Sequence, residues 1–303
     1  MKKLIQLLAA LCWCGVAVAH NHDEHKGFDI KVTDLGHGIY ELRTDRSGNT
    51  AVLIGEDGVL MIDTQMEHLV ELIDSEQKKL SNGRDVDLIL NTHFHRDHVR
   101  GNAYFKQRGA IIMAHPNVRQ YLENPVALKA LGREAPSFTP EYFPTMDVTG
   151  GMLITMNGQS IKLHHIPNAH TNSDLFIQFT EANVIHGGDL VSTRRFPFID
   201  IDNGGSVKGF VEALRRIIDI ANEDTRIIAG HGPIATTEDL EATIAMVNET
   251  HSIVKGLVDK GLSLSDIQAL NPLQDYTEQW NWAFITAERM VTTHYYDITG
   301  ALE

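Results

Sequence analysis

The chain has almost no cysteine: two residues in 303, Cys12 and Cys14, both within the first 19. Beyond that segment there is no disulfide framework and no thiol nucleophile, so any metal site must be built from imidazoles and carboxylates. Basic residues are scarce as well, 26 Lys plus Arg against 40 Asp plus Glu, for a net charge of −14. Such a balance repels phosphate backbones and anionic lipid surfaces, which argues against nucleic acid as a partner. Proline is sparse, at 9 beside 24 Gly, and 43% of the residues are hydrophobic, which excludes collagen-like and disordered classes. After the first segment no apolar run reaches the roughly 20 residues of a membrane span. Internal repeats and low-complexity tracts are lacking too.

What is present begins with Lys2 and Lys3, an apolar run from Leu4 to Val18, and Ala17-Val18-Ala19 in the small-x-small form of a cleavage site. About 15 apolar residues are short for a span, so residues 1–19 read as a secretory signal peptide. The expected mature chain is exported and periplasmic, with no membrane attachment once the signal is removed. Losing Lys2 and Lys3 leaves 24 bases against 40 acids, a formal charge of −16. Residues 20–27, HNHDEHKG, gather His20, His22 and His25 without hydrophobic periodicity. They read as a solvated tail, with metal capture as the functional alternative.

From Phe28 the pattern alternates in short strand-like runs around 30–32, 39–42, 51–54 and 59–62, separated by turn-rich segments at 45–49 and 55–58. This predicts an antiparallel opening. After Asp63 a helical stretch runs to about 80, then a strand at 86–90, a helix near 101–107 and a strand at 110–113. Strand pairs recur near 152–165 and 174–186, followed by a helix at 206–221, a strand at 225–229 and helices at 237–260 and 263–270. Antiparallel strands with interspersed helices predict an α/β sandwich with the helices outside the sheets.

The segment with the most chemistry is HFHRDH, residues 93–98. It follows a buried-looking strand, so His93 and His95, two apart in an extended chain, project to one side and can grip one ion together. Asp97 and His98 follow on a turn and point elsewhere, letting one loop address two neighbouring metal positions. The helical HExxH motif is excluded, because its histidines stand four apart. Four residues cannot complete two metal shells, and three further candidates lie at strand ends. His170 sits in the polar loop PNAHT, Asp189 ends IHGGD, and His231 is flanked by Gly230 and Gly232 straight after an apolar strand.

Taken in order, HFHRDH, His170, Asp189 and Gly-His231-Gly resemble the metallo-β-lactamase superfamily over residues 28 to about 235. The resemblance implies a four-layer αββα sandwich, here a single domain over 28–303 that ends in C-terminal helices. It also implies a dinuclear site: His93, His95 and His170 on one metal, Asp97, His98 and His231 on the other, and Asp189 bridging. Asp63 matches a supporting position behind the ligands. The implied cofactors are two Zn2+, with Fe or Mn as alternatives.

The expected activity is hydrolysis of an ester, thioester, lactone or amide bond, a β-lactam among them, in a small-molecule substrate. Zinc lowers the pKa of bound water to roughly 7, so hydroxide held between two cations is available at neutral pH. Asp97 is the expected catalytic carboxylate, orienting the nucleophile and passing a proton. Ser173 and Ser192 have no base placed to activate them and read as hydrogen-bonding residues. Asp189 stands where one β-lactamase group has cysteine, and Ser192 where that group carries lysine for a substrate carboxylate. The bridging aspartate resembles glyoxalase II, but a basic glutathione-binding pattern is lacking in the C-terminal part. Two other classes stay open: an iron-dependent oxidoreductase of the same fold acting on thiols or persulfides, and a non-catalytic periplasmic zinc-binding protein.

Arg194 and Arg195 read either as an anion-binding pair or as a solvated surface pair. Residues 123–147, rich in proline and aromatics, make a connection long enough for a lid over the site or for a packed surface meander. Trp280, Trp282 and Phe284 read as core, pocket wall or oligomer contact. His115, His164 and His165 match no ligand position, and His186 lies close enough to Asp189 to support it from behind. The oligomeric state is not legible.

Overall fold

The computed structural model describes residues 29–44 and 47–300. The expected signal peptide and His-rich tail lie outside these residues. A first sheet places β1 (Lys31–Asp34), β2 (Ile39–Arg43), β3 (Thr50–Gly55), β4 (Gly58–Ile62), β5 (Leu88–Asn91), β6 (Ile111–Ala114) and β7 (Met146–Asp147) side by side in chain order. A second sheet has the order β12-β11-β10-β9-β8, built from β8 (Leu153–Met156), β9 (Gln159–His165), β10 (Leu175–Phe179), β11 (Val184–His186) and β12 (Arg226–Ile228).

The opening is antiparallel through β4, as the alternation predicts, with Gly55 paired to Gly58 across the first tight hairpin. From there the pairing changes: β4, β5, β6 and β7 run parallel. Each of these returns passes through helix, which a parallel crossover requires. Helix α1 (Val70–Leu80) connects β4 to β5, α2 (Arg96–Val99) and α3 (Asn102–Lys106) connect β5 to β6, and α4 (Pro116–Glu123) follows β6. The helix expected after Asp63 is therefore shorter at its start, because Gln65 takes a positive φ of 70° that a helix cannot contain.

Helix α5 (Val207–Ile220) leads from β11 to the parallel neighbour β12, and α6 (Thr237–Val258), α7 (Leu264–Leu270), α8 (Thr277–Trp280) and α9 (Ala287–Thr299) close the chain. Three apolar layers hold the stack together. Leu53, Leu60, Ile62 and Leu90 of the first sheet meet Ile161, Leu163, Leu175 and Ile177 of the second. Behind the first sheet, Val59, Met61 and Ile89 pack on Val70, Ile73 and Phe105. Behind the second, Phe176, Ile185 and Ile227 pack on Phe210, Leu214, Val247 and Met290 of α5, α6 and α9. The result is the four-layer αββα sandwich that the resemblance implies. Burial of these faces, at roughly 25 cal/mol per Å² of apolar surface, is what fixes the strand ends in register.

No helix among the described residues is long and apolar enough to cross a membrane.

Candidate metal centre

Four strands bring their C-terminal ends to one edge of the sandwich. Asp63 follows β4, the HFHRDH segment follows β5, Asp189 follows β11 and His231 follows β12. His170 joins them from the loop between β9 and β10. The structure gathers all seven sequence-predicted donors, in two groups: His93, His95, His170 and Asp189, and beside them Asp97, His98 and His231.

In the first group His95 Nδ1 lies 3.0 Å from His93 Nε2 and 2.9 Å from His170 Nε2. The opposite nitrogen of each ring is tied outward. Thr92 Oγ1 is 3.0 Å from His93 Nδ1, Asp200 Oδ2 is 2.8 Å from His95 Nε2, and the Phe198 carbonyl is 2.7 Å from His170 Nδ1. Thr92 Oγ1 already donates to Asp63 Oδ2 at 2.7 Å, so it accepts from His93. All three rings therefore spend their N–H on an outer acceptor and turn lone pairs toward one another. Without a cation or proton such an arrangement repels itself. A tetrahedral zinc with bonds of about 2.0–2.1 Å separates its ligand atoms by about 3.3 Å, close to what is seen.

The second group has the same logic. His98 Nδ1 donates to Asp63 Oδ2 at 2.7 Å, which aims Nε2 at Asp189 Oδ1, 3.1 Å away. Both of those facing atoms are buried without a hydrogen-bond partner. Orphaned buried polar atoms are costly, and a divalent ion between them satisfies both. His231 Nε2 lies 3.3 Å from Asp97 Oδ2 and 3.3 Å from Asp189 Oδ2, while the latter atom is 3.8 Å from His93 Nε2 and 3.7 Å from His170 Nε2. Asp189 thus touches both groups. The residues present fit two cations held by nitrogen and carboxylate oxygen.

Burial and charge divide the rings electrically. Burial, reinforced by neighbouring imidazoles, holds His93 well below the usual imidazole range and His170 down at about 4, which keeps them neutral and able to donate lone pairs. Burial also opposes charge on His98 and His231, yet the surrounding carboxylates, Asp189 first, raise His98 well above its ordinary value and His231 to about 9. Burial alone would raise Asp97 and Asp189 as well. The positive charge that His98 and His231 attract outweighs it and holds both carboxyls below the carboxylate range.

The local backbone is shaped for this convergence. His95 is the extended residue before α2, so Asp97 and His98 occupy the first turn of a short helix; the His98 ring still lies against that of His93, their centres 4.2 Å apart, so the two donor groups adjoin rather than diverge as the motif suggests. Asp63, at φ 61°, is strained in order to receive the Thr92 amide at 2.7 Å as well as His98. The Asn49 amide donates to the carbonyls of Ala229 and Gly232 at 2.9 and 2.8 Å, fastening the segment that carries His231. A Cβ on Gly230 would overlap Asp189 Oδ1, so that position has to be glycine. Thr171 N and Oγ1 donate to Asp174 at 2.7 and 2.6 Å and fold the loop around His170.

A cavity of about 500 Å³ opens over Asp97, Asp189 and His231. Its wall includes Pro125, Val126, Leu128, Pro136 and Phe138, so the 123–147 connection does cover the site. Of the three late aromatics, Trp282 and Phe284 line this cavity, whereas Trp280 is buried in the core. Ser192 reaches the cavity wall; Ser173 is buried beside Thr171. The arginine pair has separate fates: Arg194 turns out toward Asp239 at 3.7 Å, and Arg195 lies over the Trp282 ring at 4.9 Å. Neither lines the cavity, but Arg96 and Arg133 do. His186 stays behind the cluster, its Nδ1 accepting from Gly188 N at 3.2 Å. His115 and His165 stack on each other at 3.8 Å, and His164 stacks on Phe176, all outside the donor groups. Asp200 and the Phe198 carbonyl, which orient His95 and His170, are contacts that the sequence pattern did not single out.

Residues 43–231 match the family model described as Metallo-beta-lactamase superfamily. Metallo-beta-lactamase type 2 of Bacteroides fragilis is 18% identical over 229 residues, 73% of this chain and 86% of its own length. Metallo-beta-lactamase IND-1 of Chryseobacterium indologenes is 20% identical over 205 residues, 67% of this chain and 79% of its own. Among solved structures, a metallo-beta-lactamase from Pontibacter korlensis superposes with a TM-score of 0.60 at 15% identity, covering 73% of this chain and 99% of that one. The sec-alkylsulfatase Pisa1 from Pseudomonas sp. gives 0.68 at 14% identity, covering 89% of this chain and 50% of that one. At these identities the structural likeness speaks for the fold alone.

Proposed function

The chain belongs to the metallo-β-lactamase superfamily, and from that premise we propose that it is a dinuclear zinc-dependent hydrolase cleaving an ester, thioester, lactone or amide bond, with a β-lactam ring among the candidate substrates. The observation that supports this reading most is the set of inward lone pairs. His93, His95 and His170 face one another at about 3 Å with every N–H engaged elsewhere. That geometry serves a cation and little else.

On this reading His93, His95 and His170 would hold the first ion and Asp97, His98 and His231 the second, with Asp189 placed to serve both. Bound zinc supplies a Lewis acid and water whose pKa is lowered to roughly 7. The chain's own residues do the rest. Asp97, on the cavity wall and held as a carboxylate, orients the attacking water and accepts its proton for transfer to the leaving group. Asp63, Thr92 and Asp200 fix the tautomers and orientations of the rings behind the ions. The aromatic and proline-rich wall excludes bulk water around the scissile bond. Export to the periplasm belongs to the same proposal and rests on residues 1–19.

The test is a substrate panel on natively purified protein with its metals quantified: an aryl ester, a thioester, a lactone, a nitrocefin-type β-lactam and a secondary alkyl sulfate. Turnover of at least one member, abolished by chelation and restored by zinc, supports the proposal. Iron with oxygen uptake on thiols would replace it with an oxidoreductase, and zinc retained without any turnover would replace it with a zinc-binding protein.

A further inference from the structure

The cavity wall carries more information than the metal ligands. Its body is apolar, with Phe94, Tyr121, Leu128, Phe138, Trp282 and Phe284 contributing rings and branched side chains. Outside the metal donors its charged members are Arg96, Arg133 and Glu134, two cations to one carboxylate in a chain of net charge −14. Among the described residues neither Arg96 nor Arg133 has an ion-pair partner.

Arg133 is held in place. It closes a small hairpin with Leu128, the two backbones exchanging hydrogen bonds of 2.9 and 3.1 Å across a turn that ends at Gly132 with φ 62°. Asp202 accepts from Ala130 N at 3.1 Å, and Leu131 packs against the core behind the second sheet, so the hairpin is pinned at its tip. The guanidinium carbon lies 4.8 Å from the centre of the Phe284 ring. Phe284 contacts Phe198 at 5.2 Å, and Phe198 stacks on the donor His95 at 5.3 Å. A continuous aromatic strip therefore runs from the metal donors to an arginine whose five N–H groups suit planar oxyanions. In an otherwise acidic molecule, a cation without an ion-pair partner among the described residues, braced at the end of this aromatic strip, is an anion-recognition point.

We propose that the substrate is an amphipathic anion: a small molecule with an aromatic or branched aliphatic body and a carboxylate that Arg133 binds while the scissile group sits at the metal donors. This deepens, and rests on, the hydrolase reading.

The test uses a matched pair of esters, the mono(4-nitrophenyl) ester of adipic acid and its neutral methyl-capped counterpart, on wild type, Arg133→Gln and Arg133→Lys. Metal content and melting temperature are measured for each variant. Wild type is expected to favour the anionic ester about tenfold in kcat/KM, and Arg133→Gln to lose about five- to tenfold on it through KM alone. The neutral ester should stay within about twofold across all three proteins, and Arg133→Lys should recover part of the preference. Equal handling of the two esters by wild type, or an unchanged preference in Arg133→Gln, overturns the proposal. If neither ester is hydrolysed, the substrate panel decides the hydrolase reading, and calorimetry decides the anion site separately. Weaker binding of 6-phenylhexanoate by Arg133→Gln, with 6-phenylhexanamide unaffected, supports the site; equal affinities remove it.

Discussion

His95 and Asp200 stand 105 positions apart in the chain, and His95 Nε2 donates to Asp200 Oδ2 across 2.8 Å. The same carboxylate receives Asn203 Nδ2 at 2.8 Å, so it is oriented before the imidazole reaches it. The contact decides which nitrogen of His95 is left for an ion.

Asp200→Asn weakens the acceptor and offers a competing donor, so His95 loses its preferred tautomer. Removing such a partner typically costs 10–100-fold in metal affinity. Competition with a zinc chelator should show a loss of about that size at one of two sites, with the other unchanged.

His95→Ala deletes a donor from a partly exposed loop rather than a core contact. Hydrolysis should fall by a factor on the order of 10³ or more, because one ion is lost, while the metal-free melting temperature stays within a few degrees of wild type. Asp97→Asn should keep part of the metal and lose about a hundredfold in kcat. Single-turnover kinetics with quantified metal separate the two outcomes.

Gly230→Ala pushes a methyl group into Asp189 Oδ1 from a segment that Asn49 holds at both flanking carbonyls. Neither side has room to yield. We expect a loss of about 2–3 kcal/mol in stability together with reduced metal content, read by denaturant unfolding and elemental analysis.

The convergence of the seven candidate donors was legible because their residue types are unusual and their flanks simple: three histidines and an aspartate in six positions, and histidine or aspartate beside glycine after strand-like runs. What was not legible lies across distant loops. The Phe198 carbonyl and Asp200 reach the rings only through a turn whose path no local pattern encodes. Arg194 and Arg195 read as an anion-binding pair or a solvated surface pair; Arg194, at φ 56°, is exposed toward Asp239, and the arginines that line the cavity are Arg96 and Arg133, which no local pattern marks. Helix α9 carries Val291, Thr292, Thr293 and two tyrosines, residues that favour strands, and is helical because Ala287, Met290, Val291 and His294 bury one face. Parallel pairing in β4–β7 was likewise hidden, since short apolar strands look alike in either direction.

His294 gives a pH dependence independent of the metal donors. Burial, with the charge of His251 nearby, lowers it to about 3, and its Nε2 bonds to Thr250 Oγ1 at 2.9 Å. The folded pKa is depressed, so the stabilisation from keeping it neutral is present above the unfolded value of about 6.5 and declines as pH falls toward 3, because the unfolded chain takes the proton first. His294→Gln removes that term, worth about 2 kcal/mol between pH 7 and pH 5. Unfolding free energies of both proteins at matched metal content should show a shallower acid decline in the variant.

The central claim is that these donors hold two divalent ions that enable hydrolysis. Elemental analysis of natively purified protein, paired with turnover of the same sample on the responsive substrate, tests it most directly. The account predicts about two equivalents of zinc per chain with activity that tracks occupancy; full activity in protein carrying less than one equivalent of any divalent metal would contradict it.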